Sequence, residues 1–198
     1  MFNTQVKLSL QDFNNFLQKW INDENIPFIF GVLANVDENN RAKSRTLTLQ
    51  EVTGTHVLFY TQQNSSKISE IRANNQVSLT IILPKYKRQI IFDGIVNLVA
   101  SEENSKYWKS YPDKAKLRFL AYGPESGKPI KSNSPLDNLV ETYAIKYNNV
   151  MPECPDSFIS CKIYPTKVKL YQWNDDRISD SLILTRIDDH FKITRVIP

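Results

Sequence analysis

The stretch that decides the fold reads KSRTLTLQEV from Lys43 to Val52, turns at Thr53-Gly54 and continues as THVLFYT from Thr55 to Thr61. In its first half, polar residues alternate with Leu47 and Leu49, which is the period-two pattern of a strand with one face in water. Because a tight turn joins the two halves, the stretch predicts two neighbouring antiparallel strands.

The same alternation recurs along the chain, so the sequence predicts nine short strands: Phe28–Val36, Lys43–Val52, Thr55–Thr61, Val77–Leu83, Arg88–Val99, Ser157–Tyr164, Lys167–Trp173, Leu182–Arg186 and Phe191–Ile197. Helical spacing, caps and prolines predict five helices between them: one from the N-cap Ser9 to before Pro27, then Ser66–Ala73, a helix from Ser101 to before Pro112, Asp113–Ala121 and Pro135–Asn148. Short strands joined by tight turns favour an antiparallel sheet closed into a barrel. The expected class is mainly β with flanking helices (α+β).

Composition sets the outer limits. The 198 residues are 41% hydrophobic and 23% charged, which predicts one globular domain over residues 1–198. The net charge of +4 is too small and too dispersed to indicate nucleic-acid binding, although Lys85, Lys87 and Arg88 are close in sequence. No apolar run reaches the length of a membrane span, and Met1 to Lys7 lacks a signal-peptide pattern, so we expect a cytoplasmic protein without membrane association.

Histidine and cysteine are scarce. The two cysteines, Cys154 and Cys161, and the two histidines, His56 and His190, have no zinc-site spacing, so we expect no metal. In a reducing compartment the cysteines are expected to be free thiols rather than a pair. His56 is placed inside a predicted strand and His190 beside a predicted turn, and neither indicates a catalytic triad. An enzyme with this sequence would therefore depend on a cofactor for its reactive group.

Three small groups of residues could hold such a cofactor. No glycine-rich phosphate loop is present, so a phosphate would need side chains and a helix end. Arg45 lies on a strand, and Tyr60-Thr61 precedes Ser65-Ser66-Lys67 at a helix start, where a routine N-cap is the simpler interpretation. Gln89 opens an apolar strand and could bind a heterocycle through its amide, or could simply face solvent.

Together these groups resemble a known family. The series Phe59-Tyr60-Thr61, Ser65-Ser66-Lys67, Asn74-Asn75, Arg88-Gln89 and Gly94 is similar in order and spacing to the flavin-binding half of the pyridoxamine/pyridoxine 5′-phosphate oxidase family. The last thirty residues are similar as well, and they include Tyr171-Gln172, Arg177-Ile178-Ser179-Asp180 and the C-terminal Arg195-Val196-Ile197-Pro198. The resemblance extends from about Pro27 to Pro198 and is weakest between Tyr111 and Pro155.

The resemblance implies a split β-barrel homodimer with two FMN molecules at its subunit interface, in which residues 157–198 resemble the dimerisation region. It places Arg45, Thr61, Ser66 and Lys67 around the FMN phosphate, adds Tyr60 beside them, and sets Gln89 against the isoalloxazine ring. It places Glu125 and Ser126 where the family has Gln-Ser from the partner subunit. Three family residues are replaced, an Arg by Ser66, a Trp by Tyr171 and a second Arg by Ser181.

The substrate side departs further from the family. A Lys, a Tyr, an Arg and a Ser of the family hold the substrate phosphate, and the corresponding residues here are Gln50, Tyr107, Tyr111 and Ala115. The resemblance therefore implies a loss of two cations, at about 1.5–3 kcal/mol for each charge-assisted bond. Of the Arg and His that flank the substrate ring, the Arg is kept as Arg177 and the His is replaced by Ser179.

The resemblance implies an FMN-dependent oxidoreductase in which hydride passes from the substrate to the flavin and dioxygen reoxidises it. The small-molecule substrate would be pyridoxine or pyridoxamine 5′-phosphate, or, in a related oxidase, a different planar ring compound. A non-catalytic flavin- or haem-binding protein on the same barrel is the alternative from another class.

Overall fold

The computed structural model describes residues 7–123, 126, 129, 134–147, 150 and 152–198. Within these residues the strands are β1 (Lys7–Ser9), β2 (Ile29–Val36), β3 (Ala42–Val52), β4 (Val57–Gln62), β5 (Gln76–Leu83), β6 (Arg88–Leu98), β7 (Phe158–Gln172), β8 (Asp180–Ile187) and β9 (His190–Arg195). The helices are α1 (Leu10–Glu24), α2 (Ser66–Ala73), α3 (Ser101–Ser110), α4 (Asp113–Tyr122) and α5 (Ser134–Tyr147), with a 3₁₀ turn at Pro84–Tyr86.

All described strands join one sheet, in the order β1-β9-β8-β7-β4-β3-β2-β5-β6. An additional pairing of β7 with β6 closes β2 to β7 into a six-stranded antiparallel barrel. The remaining strands β8, β9 and β1 extend the sheet beyond the barrel. The predicted class, mainly β with flanking helices, is confirmed.

Helix α1 begins where the sequence predicts it. The Ser9 hydroxyl accepts a hydrogen bond from the Asp12 amide at 3.0 Å and so caps the first turn. Asn25 ends the helix in the left-handed conformation, with φ of 55°. The apolar face packs into the core, where the ring of Phe13 meets the ring of Phe191 edge-on at 4.8 Å.

Strand β3 alternates as predicted only as far as Leu49. Leu49 pairs with Phe59, but Glu51 pairs with Leu58, so Gln50 is the extra residue of a β-bulge. The bulge reverses the faces of the strand, because Leu49 and Val52 are both buried although they are three residues apart. The position predicted for His56 is wrong. His56 lies in the turn before β4, because the Thr53 hydroxyl accepts a hydrogen bond from its amide at 3.0 Å.

The strands predicted at Ser157–Tyr164 and Lys167–Trp173, on either side of Pro165, are one strand, β7, so the prediction of two separate strands is wrong. Proline suits extended backbone and removes only one hydrogen-bond donor, so it need not end a strand. The Thr166 hydroxyl donates to the Asp93 carbonyl at 3.1 Å and ties this part of β7 to β6. Gly94 permits the approach, since a Cβ there would lie 2.2 Å from the Tyr164 carbonyl oxygen.

The chain divides into two compact units. The first contains the described residues of 1–60, 70–97 and 161–198, and hence α1 and most of the sheet. The second contains the described residues of 61–69 and 98–160, and its core is an aromatic cluster in which Trp108, Phe119 and Phe158 pack with ring centroids 5.1–5.7 Å apart. Among the described helices, none combines the length and the apolar character needed to cross a membrane.

Candidate functional site

A cavity of about 550 Å³ lies in the first unit. Its floor is the outer face of the sheet, where Ile82 of β5 and Gln89 of β6 are paired opposite one another. Their neighbours Ile81 and Ile90 are buried in the core, so alternation turns Ile82 and Gln89 outward. The described residues that line the cavity are Ile82, Leu83, Pro84, Lys87, Arg88, Gln89, Tyr171, Trp173 and Asp175.

Two aromatic side chains form another wall of the cavity. Tyr171 is near the end of β7, where it pairs with Ser181 of β8. Trp173 follows two residues later and lines the same cavity. The Trp173 amide donates to the Lys87 carbonyl at 2.9 Å, which ties the end of β7 to the start of β6. The cavity therefore offers aromatic faces beside the amide of Gln89, a combination suited to a planar ring with polar edges.

The charged side chains of the lining are paired. The Lys87 ammonium contacts the carboxylate of Asp175. The Arg88 guanidinium bonds Asp23 at 3.0 Å and lies between the rings of Trp20 and Tyr86, with its Cζ less than 5 Å from each centroid. This part of the cavity thus carries little net charge.

Arg45 belongs to a separate cluster in the first unit. Its guanidinium bonds Glu70 Oε2 at 2.8 Å and also donates to the side-chain oxygen of Asn35. The Asn35 amide donates to the same Glu70 oxygen at 2.8 Å, so the three side chains form a closed triangle. Glu70 therefore balances the charge of Arg45, a partner that the sequence pattern did not indicate.

The start of α2 forms a polar cluster in the second unit. The Lys67 ammonium donates to the Thr61 hydroxyl at 2.8 Å, and Thr61 lies 3.5 Å from the hydroxyl of Ser65. Ser66 is the first residue of the helix. The cluster brings together Lys67 and Thr61, two of the residues predicted to bind a phosphate. They place an ammonium and a hydroxyl next to the N-terminal end of a helix.

Comparison with known proteins identifies the family. A profile described as pyridoxamine 5′-phosphate oxidase matches residues 18–132. The chain belongs to the pyridoxamine 5′-phosphate oxidase family. A pyridoxine/pyridoxamine 5′-phosphate oxidase of Pseudomonas entomophila is 27% identical over 166 residues, which is 84% of this chain and 76% of the relative. The oxidase of Vibrio cholerae is 25% identical over 189 residues, which is 96% of this chain and 89% of the relative.

Two of the solved structures with the same fold are PhzG and an FMN-binding protein. PhzG from Burkholderia lata, solved with tetrahydrophenazine-1-carboxylic acid, superposes with a TM-score of 0.77 at 19% identity, covering 93% of this chain and 91% of PhzG. An FMN-binding protein of Nostoc punctiforme, related to pyridoxamine 5′-phosphate oxidase, superposes with a TM-score of 0.76 at 18% identity, covering 94% of this chain and 97% of that protein. At these identities the superpositions establish the shared fold.

The family pattern assigns further residues to the cofactor, and the structure places some of them together. Gln89 and Tyr171 line one cavity, and Ser181 is opposite Tyr171 in the sheet. Tyr60 lies in β4. The amide of Ser126 donates to the Gly123 carbonyl at 3.2 Å, while Glu125 lies outside the described residues.

Three residues that the resemblance predicts for the substrate phosphate, Gln50, Tyr107 and Tyr111, lie among other parts of the protein. Gln50 occupies the β3 bulge, and the Tyr107 hydroxyl donates to Glu103 at 2.9 Å. Tyr111 packs against the rings of Trp108 and Phe158, and burial raises the pKa of its phenol.

The two substrate candidates of the C-terminal loop have partners there. Arg177 bonds the Asp180 carboxylate at 3.0 Å, and the Ser179 hydroxyl accepts from the Asn174 amide at 3.3 Å. Both partners are within six residues in sequence, so these bonds organise the loop between β7 and β8.

Several residues that line the cavity were not among those predicted from the sequence. Trp173 carried a usable signal, since it is two residues after Tyr171 and a strand places such residues on one face. Lys87 and Asp175 carried none, because their ion pair joins positions 88 residues apart.

Proposed function

We propose that the protein is an FMN-dependent oxidoreductase of the pyridoxamine 5′-phosphate oxidase type. The observation that carries the proposal is the cavity shared by Gln89 and Tyr171. The family pattern assigns both residues to the flavin ring, although they are far apart in sequence. Their meeting in one cavity supports the assignment independently of the sequence match.

The residues present fit the isoalloxazine ring. The ring is planar and apolar on its faces and carries amide-like donors and acceptors on one edge. Gln89 offers an amide that both donates and accepts, and Tyr171 and Trp173 offer aromatic faces. The FMN-binding relative of Nostoc punctiforme has the same fold.

For the FMN phosphate we propose Lys67 and Thr61, with Arg45 and Ser66 as the further family positions. The ammonium and hydroxyl of the first two are already 2.8 Å apart, so they present a charge and a hydrogen bond together. Tyr60, Ser126, Ser181 and Glu125 complete the cofactor set that the family pattern implies.

The chemistry supplied by bound FMN is the acceptance of a hydride from a substrate C–H, with dioxygen as the oxidant that restores it. The protein's own side chains then bind and orient. With FMN bound, Gln89 would position the polar edge of the ring, Tyr171 and Trp173 would exclude water from the ring, and Lys67 would hold the phosphate. Arg177, exposed on its loop, is the residue we propose for contact with substrate.

The substrate we propose is a planar ring compound with less negative charge than a pyridoxine phosphate. At the family's phosphate-binding positions, Tyr111 is packed among aromatic rings and Gln50 is uncharged. Two lost charge-assisted bonds correspond to about 3–6 kcal/mol, or 10²- to 10⁴-fold in affinity. PhzG, which has this fold, was solved with tetrahydrophenazine-1-carboxylic acid, and this supports the proposal of a ring substrate. Pyridoxine or pyridoxamine 5′-phosphate is the second candidate, favoured by the names of the curated relatives.

We also propose a homodimer. Large apolar side chains are exposed on the outer face of β2 and β5 and just before β2: Phe28 at 62%, Phe30 at 55%, Val32 at 42% and Ile82 at 55%. Such a continuous apolar face is typical of an interface, and a second copy would cover it. Ile82 also lines the cavity, so the partner would border the proposed ring site. A cytoplasmic location stays a prediction, with which the two free thiols are compatible.

A visible spectrum and a peroxide assay test the function. The purified protein, supplied with FMN if colourless, should show a flavin spectrum and release hydrogen peroxide with a ring substrate and oxygen. Peroxide with pyridoxine 5′-phosphate would select the vitamin as substrate. A flavin spectrum without peroxide from any ring compound tested would instead indicate a non-catalytic binder, and a haem spectrum would reject the flavin.

A further inference from the structure

Trp173 is unlike the other tryptophans of the chain. The sequence contains three, and all lie within the described residues. Trp20 and Trp108 are at most 9% exposed and pack in the interior, whereas Trp173 is 59% exposed. The Trp173 indole therefore keeps a large apolar surface in water at the edge of the cavity.

The backbone of Trp173 is fixed by hydrogen bonding although its side chain is exposed to solvent. Its amide donates to the Lys87 carbonyl at 2.9 Å, and Asp175, two residues later, contacts the Lys87 ammonium. Lys87 itself ends the 3₁₀ turn in the left-handed conformation, with φ of 53°. The indole is therefore presented by a segment attached at two points to the neighbouring strand, which reduces the entropy lost when a ligand binds.

The paired charges decide what kind of ligand fits. Lys87 faces Asp175, and Arg88 is held by Asp23, so the described lining presents no excess cation for a phosphate. What it presents is aromatic surface and one neutral amide, Gln89. These groups favour the faces and the polar edge of an uncharged heteroaromatic ring.

We propose that Trp173 is a ring-stacking residue of this cavity, and that its ligand is the uncharged heteroaromatic ring of a flavin or of the substrate. The proposal deepens the proposed function and rests on it for the identity of the flavin. The family pattern assigns no role to this position, and the aromatic residue it expects in this region is at position 171, where this chain has a tyrosine. Trp173 supplies the larger aromatic face two residues further along.

The test uses the fluorescence of the full chain, because Trp173 is the accessible indole. Iodide should quench Trp173 selectively, and riboflavin, which has the ring without the phosphate, should protect it. Trp173→Ala should weaken the binding of riboflavin and of FMN by the same factor, about 5- to 150-fold, the range measured when an aromatic side chain that stacks on a nucleic-acid base is replaced by alanine. Trp173→Phe should restore most of the affinity. Pyridoxine, tested in the same way, distinguishes a substrate ring from a flavin ring.

A matched variant separates this proposal from the proposed function. Lys67→Ala should weaken the binding of FMN much more than that of riboflavin, since riboflavin has no phosphate for Lys67 to contact. If neither riboflavin nor pyridoxine protects Trp173 from iodide, or if Trp173→Ala binds both normally, Trp173 is not a stacking residue. If binding depends on Trp173 but no peroxide is released, the proposed oxidase activity is wrong and the stacking role stands. If peroxide is released but binding does not depend on Trp173, the stacking role is wrong and the oxidase activity stands.

Discussion

Arg45 of β3 and Glu70 of α2 form an ion pair at 2.8 Å, and Asn35 of β2 bonds to both partners. The side chains of Arg45 and Glu70 are 21% and 11% exposed, so the pair is only partly screened by solvent. The triangle joins β2, β3 and the part of α2 that belongs to the first unit. Its carboxylate would be left without its cation if Arg45 were removed.

Arg45→Ala should lower the free energy of unfolding by about 1–3 kcal/mol, because it leaves the Glu70 carboxylate unpaired in a partly buried position. Denaturant unfolding of the protein measures the change. Arg41→Ala is the matched control, since Arg41 is an exposed arginine of the preceding turn and its loss should cost less than about 0.5 kcal/mol. Equal losses in the two variants would show that the triangle contributes nothing.

Lys67→Ala should weaken FMN binding about 10- to 150-fold, because one charge-assisted bond to phosphate contributes about 1.5–3 kcal/mol. The quenching of flavin fluorescence on titration gives the dissociation constant. Lys67→Arg keeps the charge and should recover part of the affinity. An unchanged constant for Lys67→Ala would remove Lys67 from the proposed phosphate site.

Phe30→Asp should convert the proposed dimer to monomers, because it places a charge in the centre of the exposed apolar face of β2. Sedimentation velocity measures the change in mass. Ile145→Asp is the control, since Ile145 is 79% exposed on α5 and belongs neither to this face nor to residues 157–198. A wild-type protein that sediments as a monomer, or a Phe30→Asp dimer, would contradict the proposed interface.

Gly94→Ala should destabilise the protein by about 2 kcal/mol or more. The new Cβ would lie 2.2 Å from the Tyr164 carbonyl oxygen and 2.8 Å from the Pro165 Cα, and both are backbone atoms that cannot rotate away. At Gly31 the nearest atoms belong to the Leu79 and Leu49 side chains, at 3.0 and 3.1 Å. Gly31→Ala should therefore cost less, and thermal unfolding compares the two. The opposite order would mean that β7 does not pass as close to Gly94 as the structure shows.

Cys154 should react slowly with iodoacetamide at neutral pH. Burial, and then the charge of Asp156, raise the pKa of this thiol above its ordinary value of 9.0, so little thiolate is present. Reactivity should increase only above the pH at which a free cysteine ionises. As the pH rises, the thiol ionises at a lower pH in the unfolded chain than in the folded protein. Ionisation therefore favours the unfolded chain, and the contribution of Cys154 to stability should fall as the pH rises through about 9.

Mass spectrometry of the alkylated peptide distinguishes Cys154 from the fully buried Cys161. Asp156→Asn should accelerate the alkylation by removing the neighbouring negative charge, whereas Glu102→Gln, at an exposed acid of α3, should not. A Cys154 that reacts as fast as free cysteine at pH 8 would show that its environment does not raise its pKa.

Local patterns determined much of this fold. The N-cap at Ser9, the span of α2 and the alternation of β3 up to Leu49 are properties of a few neighbouring residues, and the sequence predicted each of them. The candidate residues for the cofactor came from spacing in the same way. The order and spacing of those residues indicated the family, and the family implied the barrel.

The tertiary structure decided the features that depend on distant segments. The bulge at Gln50 reverses the faces of β3, and the continuity of β7 through Pro165 depends on an approach to Gly94. Neither feature can be predicted from a few neighbouring residues, because both depend on how one strand packs against another. Likewise the ion pair of Lys87 and Asp175, and with it the place of Trp173 in the cavity, exist only after closure of the barrel brings β6 and β7 together.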